Sequence, residues 1–122
     1  MEELTKTEER IMQVVWRLKK AFVKDIIAQL DDDPKPPYST IASVVGILEK
    51  KGYLTHTAYG KTHEYFPAVS KAAYRKMYFQ RMLSQYFDNS EASLLSFLVQ
   101  EKKLSEADLE KLKDLINKSP KP

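Results

Sequence analysis

The chain has 122 residues and a net charge of +3, with 43% apolar and 30% charged side chains. That is enough for one small core or two, and too little for a multidomain enzyme. With no cysteine it has no disulfide framework, thiolate metal site or cysteine nucleophile. The start Met1-Glu2-Glu3-Leu4 is acidic, and no apolar run approaches the ~20 residues that cross a bilayer, so a cytoplasmic protein without a membrane partner is expected. The charge is unevenly placed. Residues 1–69 carry 10 Lys/Arg and 10 Asp/Glu, whereas residues 70–122 carry 10 and 7. Binding to a polyanion would therefore depend on local placement of cations and not on a bulk basic field.

Thr5-Lys6-Thr7-Glu8 has the form of a capping box, and Ile11, Met12, Val15 and Leu18 follow at helical spacing. A first helix is predicted from about Thr5 to Lys20. Ala21-Phe22-Val23 reads as an apolar connector, after which Ile26, Ile27 and Leu30 mark a shorter second helix. The run Asp31 to Pro37 holds three prolines, which remove donors and fix φ, so it is a loop. A third helix opens at Tyr38 or Ser39 with Ile41, Val44, Val45 and Leu48 facing inward, and Gly52 suits its C-terminal stop. The period then changes. Residues 53–59 and 62–66 are rich in strand formers, separated by Gly60-Lys61, and Pro67 closes the hairpin.

Ser70 begins a long fourth helix, and Asp88-Asn89-Ser90 breaks it. Leu94, Leu95, Leu98 and Val99 mark a fifth, and Ser105-Glu106-Ala107-Asp108 starts a sixth striped by Leu109, Leu112, Leu115 and Ile116. The expected class is mostly α with a small β-hairpin: a winged helix-turn-helix at 1–69, a three-helix dimerisation segment at 70–118 and a disordered tail at 119–122.

In a winged helix the third helix enters the major groove and the hairpin lies along the backbone or the minor groove. Opposite its inward stripe, helix three presents Ser39, Thr40, Ser43 and Gly46, with Lys50 near its end. Small hydroxyl side chains let a helix sit deep in a groove and bond to phosphates or base edges. The hairpin tip adds Tyr59, Lys61 and His63. The same features suit an ordinary solvated helix and strand, and winged helices also serve as protein-interaction modules. Residue chemistry alone leaves open a DNA-binding repressor and an interaction module without sequence-specific DNA contact.

His56 and His63 lack the further ligands that a structural zinc needs, so no metal and no cofactor is expected. Asp31–Asp33 lacks the alternation and the closing Glu of a calcium loop. No nucleophile elbow or phosphate-cradling glycine loop is present, which excludes the common enzyme designs. Trp16 reads as packing within the core or between domains. Tyr74, Tyr78, Phe79, Met82, Tyr86 and Phe87 make a stripe too apolar for one exposed helix, and a core or a dimer interface is its natural home. Tyr74, Tyr78, Met82, Tyr86, Leu94, Leu98 and Leu112 are the expected interface residues.

Three separated motifs carry a resemblance. The run from Tyr38 to Leu54 (Tyr38-Ser39-Thr40-Ile41 through Glu49-Lys50-Lys51-Gly52-Tyr53-Leu54) resembles the recognition-helix segment of the penicillinase and methicillin-resistance repressor family, the BlaI/MecI/CopY type. Tyr65-Phe66-Pro67-Ala68-Val69-Ser70 resembles that family's exit from the wing, and Leu104-Ser105-Glu106-Ala107-Asp108-Leu109-Glu110-Lys111-Leu112 its C-terminal close. The likeness spans about residues 4–118. It implies a repressor that binds double-stranded operator DNA, an inverted repeat, as a homodimer. It implies DNA contacts at Ser39, Thr40, Ala42, Ser43 and Ile47, beside Lys50, Lys61 and His63. Some members have Arg where Ala42 and Ile47 stand. The copper-responsive branch uses a C-terminal cysteine pair, which this chain lacks. The β-lactam branch is inactivated through a protease that cuts an Asn-Phe bond; the matching place here is near Ser96-Phe97-Leu98, where no Asn stands.

Overall fold

The computed structural model describes residues 2–101, 105–108, 110, 111 and 114. Seven elements follow in order: α1 (Lys6–Leu18), α2 (Val23–Gln29), α3 (Tyr38–Lys50), β1 (Leu54–Tyr59), β2 (Thr62–Pro67), α4 (Lys71–Phe87) and α5 (Glu91–Gln100). They fall into two compact units, Met1–Arg75 and Lys76–Pro122, with the boundary inside α4. Of the expected sixth helix, residues 106–108, 110, 111 and 114 are helical, and Ser105 Oγ accepts the Asp108 N–H at 3.1 Å. The expected interface residue Leu112 and the tail at 119–122 lie outside the described residues.

The first unit is a winged helix. Thr5 and Glu8 close the capping box of α1, with the Thr5 N–H donating to Glu8 Oε1 at 2.8 Å and the Glu8 N–H to Thr5 Oγ1 at 3.2 Å. Helical spacing then delivers Ile11, Met12, Val14 and Val15 to one buried face. Val23, Ile26 and Leu30 meet it from α2, and Ile41, Val45 and Leu48 from α3. Each full burial of such a side chain stabilises by about 1.5–3 kcal/mol relative to exposure. Val44, expected inward, is only half-buried.

The stop of α3 is built by Gly52, whose φ of 86° few other residues adopt without strain. There the Gly52 N–H donates to the Glu49 carbonyl at 3.0 Å and the Tyr53 N–H to the Leu48 carbonyl at 3.0 Å. This is a Schellman closure, and its apolar partners Leu48 and Tyr53 are both fully buried. The turn throws the chain directly into the hairpin, whose register runs from Leu54 opposite Pro67 to Tyr59 opposite Thr62.

Two local expectations need correction. Ala21 is not merely a connector: it exchanges both backbone hydrogen bonds with Tyr65, each 2.8 Å long. This single bridge anchors the base of the wing. The N-terminal unit also does not end at residue 69. Tyr74, in the first turn of α4, is 7% exposed, its ring 5.4 Å from Trp16 and 5.8 Å from Tyr53, its hydroxyl donating to Glu9 Oε2 at 3.0 Å. Trp16 in turn donates to the Val69 carbonyl at 2.9 Å. The burial of Tyr74 is accounted for within this chain, as core of the winged helix.

Within the second unit, Ser90 caps α5 by accepting the Ser93 N–H at 3.1 Å. Leu83 and Leu94 are buried, and Phe87 packs on Phe97 at 5.7 Å between ring centres.

Glu8 also meets Lys51 at 2.7 Å, just past the end of α3. Burial opposes its charge, but the Lys51 ammonium and the Thr5 N–H outweigh burial and hold its pKa below the ordinary carboxylate value. A depressed carboxylate contributes stability that is complete above its unfolded pKa and is lost as pH falls through the folded one. Glu8→Gln should therefore lower the thermal midpoint by a few degrees at pH 7, and the deficit should close as the pH is brought to about 3. Thermal unfolding by circular dichroism across that range reads both.

Candidate nucleic-acid interface

Because the inner face of α3 is fixed by Ile41, Val45 and Leu48, its outer face is fixed too. Ser39, Thr40 and Ser43 are exposed along it, followed by Gly46, Ile47 and Lys50. Ile47, an apolar side chain, is 47% exposed. Ala42 lies on the flank, half-buried. Together Ser43, Gly46, Ile47, Glu49 and Lys50 line a shallow open hollow.

The approach to α3 is held by the loop before it. Lys35 Nζ donates to the carbonyls of Leu30 and Ala28, satisfying the C-terminal end of α2, and Asp32 pairs with Arg10 of α1. Lys51, by contrast with Lys50, turns toward the body, where it meets Glu8 and the Glu3 carbonyl at 3.2 Å.

The hairpin leaves residues 57–62 exposed, with Gly60 at φ 64° turning the chain and Lys61 at the tip. His63 is half-buried one step back. On the same strand face its ring lies parallel to that of His56, 4.0 Å away at 7°. His56 Nδ1 is 2.5 Å from Glu49 Oε2. A carboxylate can only accept, so Nδ1 carries the proton. Tyr65 closes the cluster from below, 5.6 Å from His56 and 6.1 Å from His63. Burial, then the charge of Glu49 and the nearness of Tyr38, raise the Tyr65 pKa, so its hydroxyl stays protonated.

The structure thus brings Ser39, Thr40, Ser43, Ile47 and Lys50 onto one helix face, with Lys61 and His63 on the adjoining wing. Glu49 is not among the expected site residues, and the sequence suggests His56 only as a metal ligand short of partners. Strand register could have placed His56 and His63 on one face, but nothing in the sequence linked either to Glu49. Among the described residues no group of three His, Asp or Glu could hold a metal ion, and no helix is long and apolar enough to cross a membrane.

The expected interface residues of the second unit divide. Tyr78 and Tyr86 are 57% and 75% exposed, Met82 and Leu98 are half-buried, and Leu94 is buried. Ser96 and Phe97 lie inside α5, both exposed.

Gly46 sits mid-helix, where glycine costs about 1 kcal/mol relative to alanine. An added Cβ would meet nothing within 4 Å. Gly46→Ala should therefore stabilise the chain by about that amount in urea unfolding, since no packing among the described residues requires glycine there.

Comparison with known proteins agrees with the winged-helix fold. The family model described as penicillinase repressor matches residues 4–118. The chain is 22% identical over 116 residues to the methicillin resistance regulatory protein MecI of Staphylococcus aureus strain N315, covering 95% of this chain and 94% of that one. It is 20% identical over 114 residues to the penicillinase repressor of Bacillus licheniformis, covering 93% and 89%. The solution structure of the DNA-binding domain of the repressor BlaI matches with a TM-score of 0.51 and 25% identity, over 61% of this chain and 94% of that one.

Proposed function

The chain belongs to the penicillinase repressor family, and from that premise we propose that it represses transcription by binding an inverted-repeat operator as a homodimer. The observation that carries the reading is the outer face of α3. It offers Ser39, Thr40, Ser43 and Lys50 to solvent, beside a wing that ends in Lys61. Hydroxyls at the start of such a helix can reach base edges, while the two lysines meet phosphates without reading sequence. Ala42 and Ile47 offer no charge, and their methyl groups suit the thymine methyl. The operator read here therefore differs from one read by arginines at those places.

The second unit supports the dimer. Tyr78, Phe79, Tyr86 and Phe97 leave a large aromatic surface exposed on a segment of two described helices, and aromatic side chains concentrate at the cores of interfaces. A two-fold dimer carries two winged helices related by that axis, which makes an inverted repeat the matching DNA. If a protease inactivates the repressor near Ser96-Phe97, the cut falls inside α5 and needs that helix to open locally.

Two experiments test this reading. Selection from a random duplex pool should enrich an inverted repeat, and a pool that stays random would contradict it. On the selected duplex Ser43→Glu should abolish binding with the fold intact, because it sets an anion against phosphates and base acceptors. Lys61→Ala should weaken binding to every duplex and lower the salt slope by about one.

Light scattering should give twice the 14.2 kDa chain mass. Tyr78→Glu should halve that mass and weaken operator binding by about a hundredfold, since the second half-site is no longer tethered. A truncation meant to isolate the winged helix should keep Tyr74, whose loss would injure the core.

A further inference from the structure

We propose that Glu49, His56 and His63 form a phosphate-contacting site on the wing that takes up a proton when DNA binds. The proposal rests on the DNA-binding reading above and assigns His56 and Glu49 as positioning residues and His63 as the contact.

The geometry is specific. Glu49 stands in the hollow of α3 beside Lys50, so its carboxylate would face an approaching polyanion. Its partner is His56, whose Nδ1–H donates to it at 2.5 Å. That bond orients the His56 ring, and the ring in turn stacks flat against His63 at 4.0 Å. His63 is thereby held on the strand face next to α3, one residue back from the exposed tip and only partly buried. Two imidazolium rings in that stack would repel, whereas one positive charge shared above a carboxylate is favourable.

The charged and titratable groups around the stack are few. From α3 come Glu49 and Lys50, with Tyr38 at its far end. From β2 come Tyr65 below the stack, whose phenol burial keeps protonated, and the sequence neighbours Lys61 and Glu64. A phosphate brought against His63 adds negative charge and favours the imidazolium form of the contacting ring, as a nearby anion does for any base. Imidazole is the side chain whose ordinary titration lies in the range where this matters. By linkage, a site that gains a proton on binding binds more tightly as pH falls.

The test is fluorescence anisotropy with the full chain between pH 8 and 6 at constant ionic strength. Both the selected duplex and a random-sequence duplex are used, because the proposed contact is to phosphate. Wild-type affinity should rise about tenfold over this range on either duplex, an average uptake of about half a proton per bound dimer. His63→Gln should flatten the slope and leave binding at pH 6 near the wild-type level at pH 8. His56→Gln should flatten it as well, since the contact ring loses its support. Lys61→Ala, on the same wing, should weaken binding at every pH and keep the slope. Circular dichroism of each variant at both pH limits separates misfolding from lost contact. A wild-type affinity independent of pH overturns the proposal, as does a slope that both histidine variants retain. Absence of binding to either duplex at any pH would instead overturn the DNA-binding reading, and this site with it.

Discussion

Glu8 divides one carboxylate between two partners, the Thr5 backbone at the start of α1 and the Lys51 ammonium just past the end of α3. A capping residue that also accepts a lysine from the next layer joins the first helix to the third through a nearly dry contact. Tyr53 reinforces the tie, since its hydroxyl donates to the Glu2 carbonyl at 2.5 Å while its backbone closes the Schellman turn. Helix α3 is thereby held by its inner face and its C-terminal end. Ser39, Thr40, Ser43, Ile47 and Lys50 on its outer face stay exposed, which is the condition for presenting them to another molecule.

The wing follows from the same anchoring. Gly52 turns the chain so that β1 begins at Leu54, and the Ala21–Tyr65 bridge fastens β2 to the segment between α1 and α2. With both strands fixed at their base, the register sets which side chains face α3. His56 and His63 land there together, within reach of Glu49 from the last turn of the helix. Helix and wing are therefore coupled by a specific polar contact as well as by chain connection.

Much of this was legible in the sequence because local rules agree with the fold. The Thr5–Glu8 box, the proline loop, the glycine stop of α3 and the strand composition of the hairpin each have a short-range physical cause. What the sequence hid depends on long-range pairing. Ala21 looks like a connector until Tyr65 bonds to it across the unit. Tyr74 looks like part of an aromatic stripe, and only the fold shows that it turns onto Trp16 and Tyr53 while Tyr78 and Tyr86 further along α4 stay exposed. The helix period gave its spacing but not the point at which one unit's core ends and the next begins. Glu49 and His56 were invisible for the same reason: a carboxylate and an imidazole seven residues apart, on different elements, become neighbours only through the turn at Gly52.

The central claim is that the solvent face of α3 and the adjoining wing are the surface that meets DNA. Amide chemical-shift mapping of the full chain, titrated with a duplex carrying its selected operator, addresses that surface residue by residue. The account predicts that the largest changes fall on Ser39, Thr40, Ser43, Gly46, Ile47 and Lys50 and on residues 59–63, with the buried stripe of α1 little affected. Large changes confined to α4 and α5, with α3 and the hairpin unmoved, would contradict it.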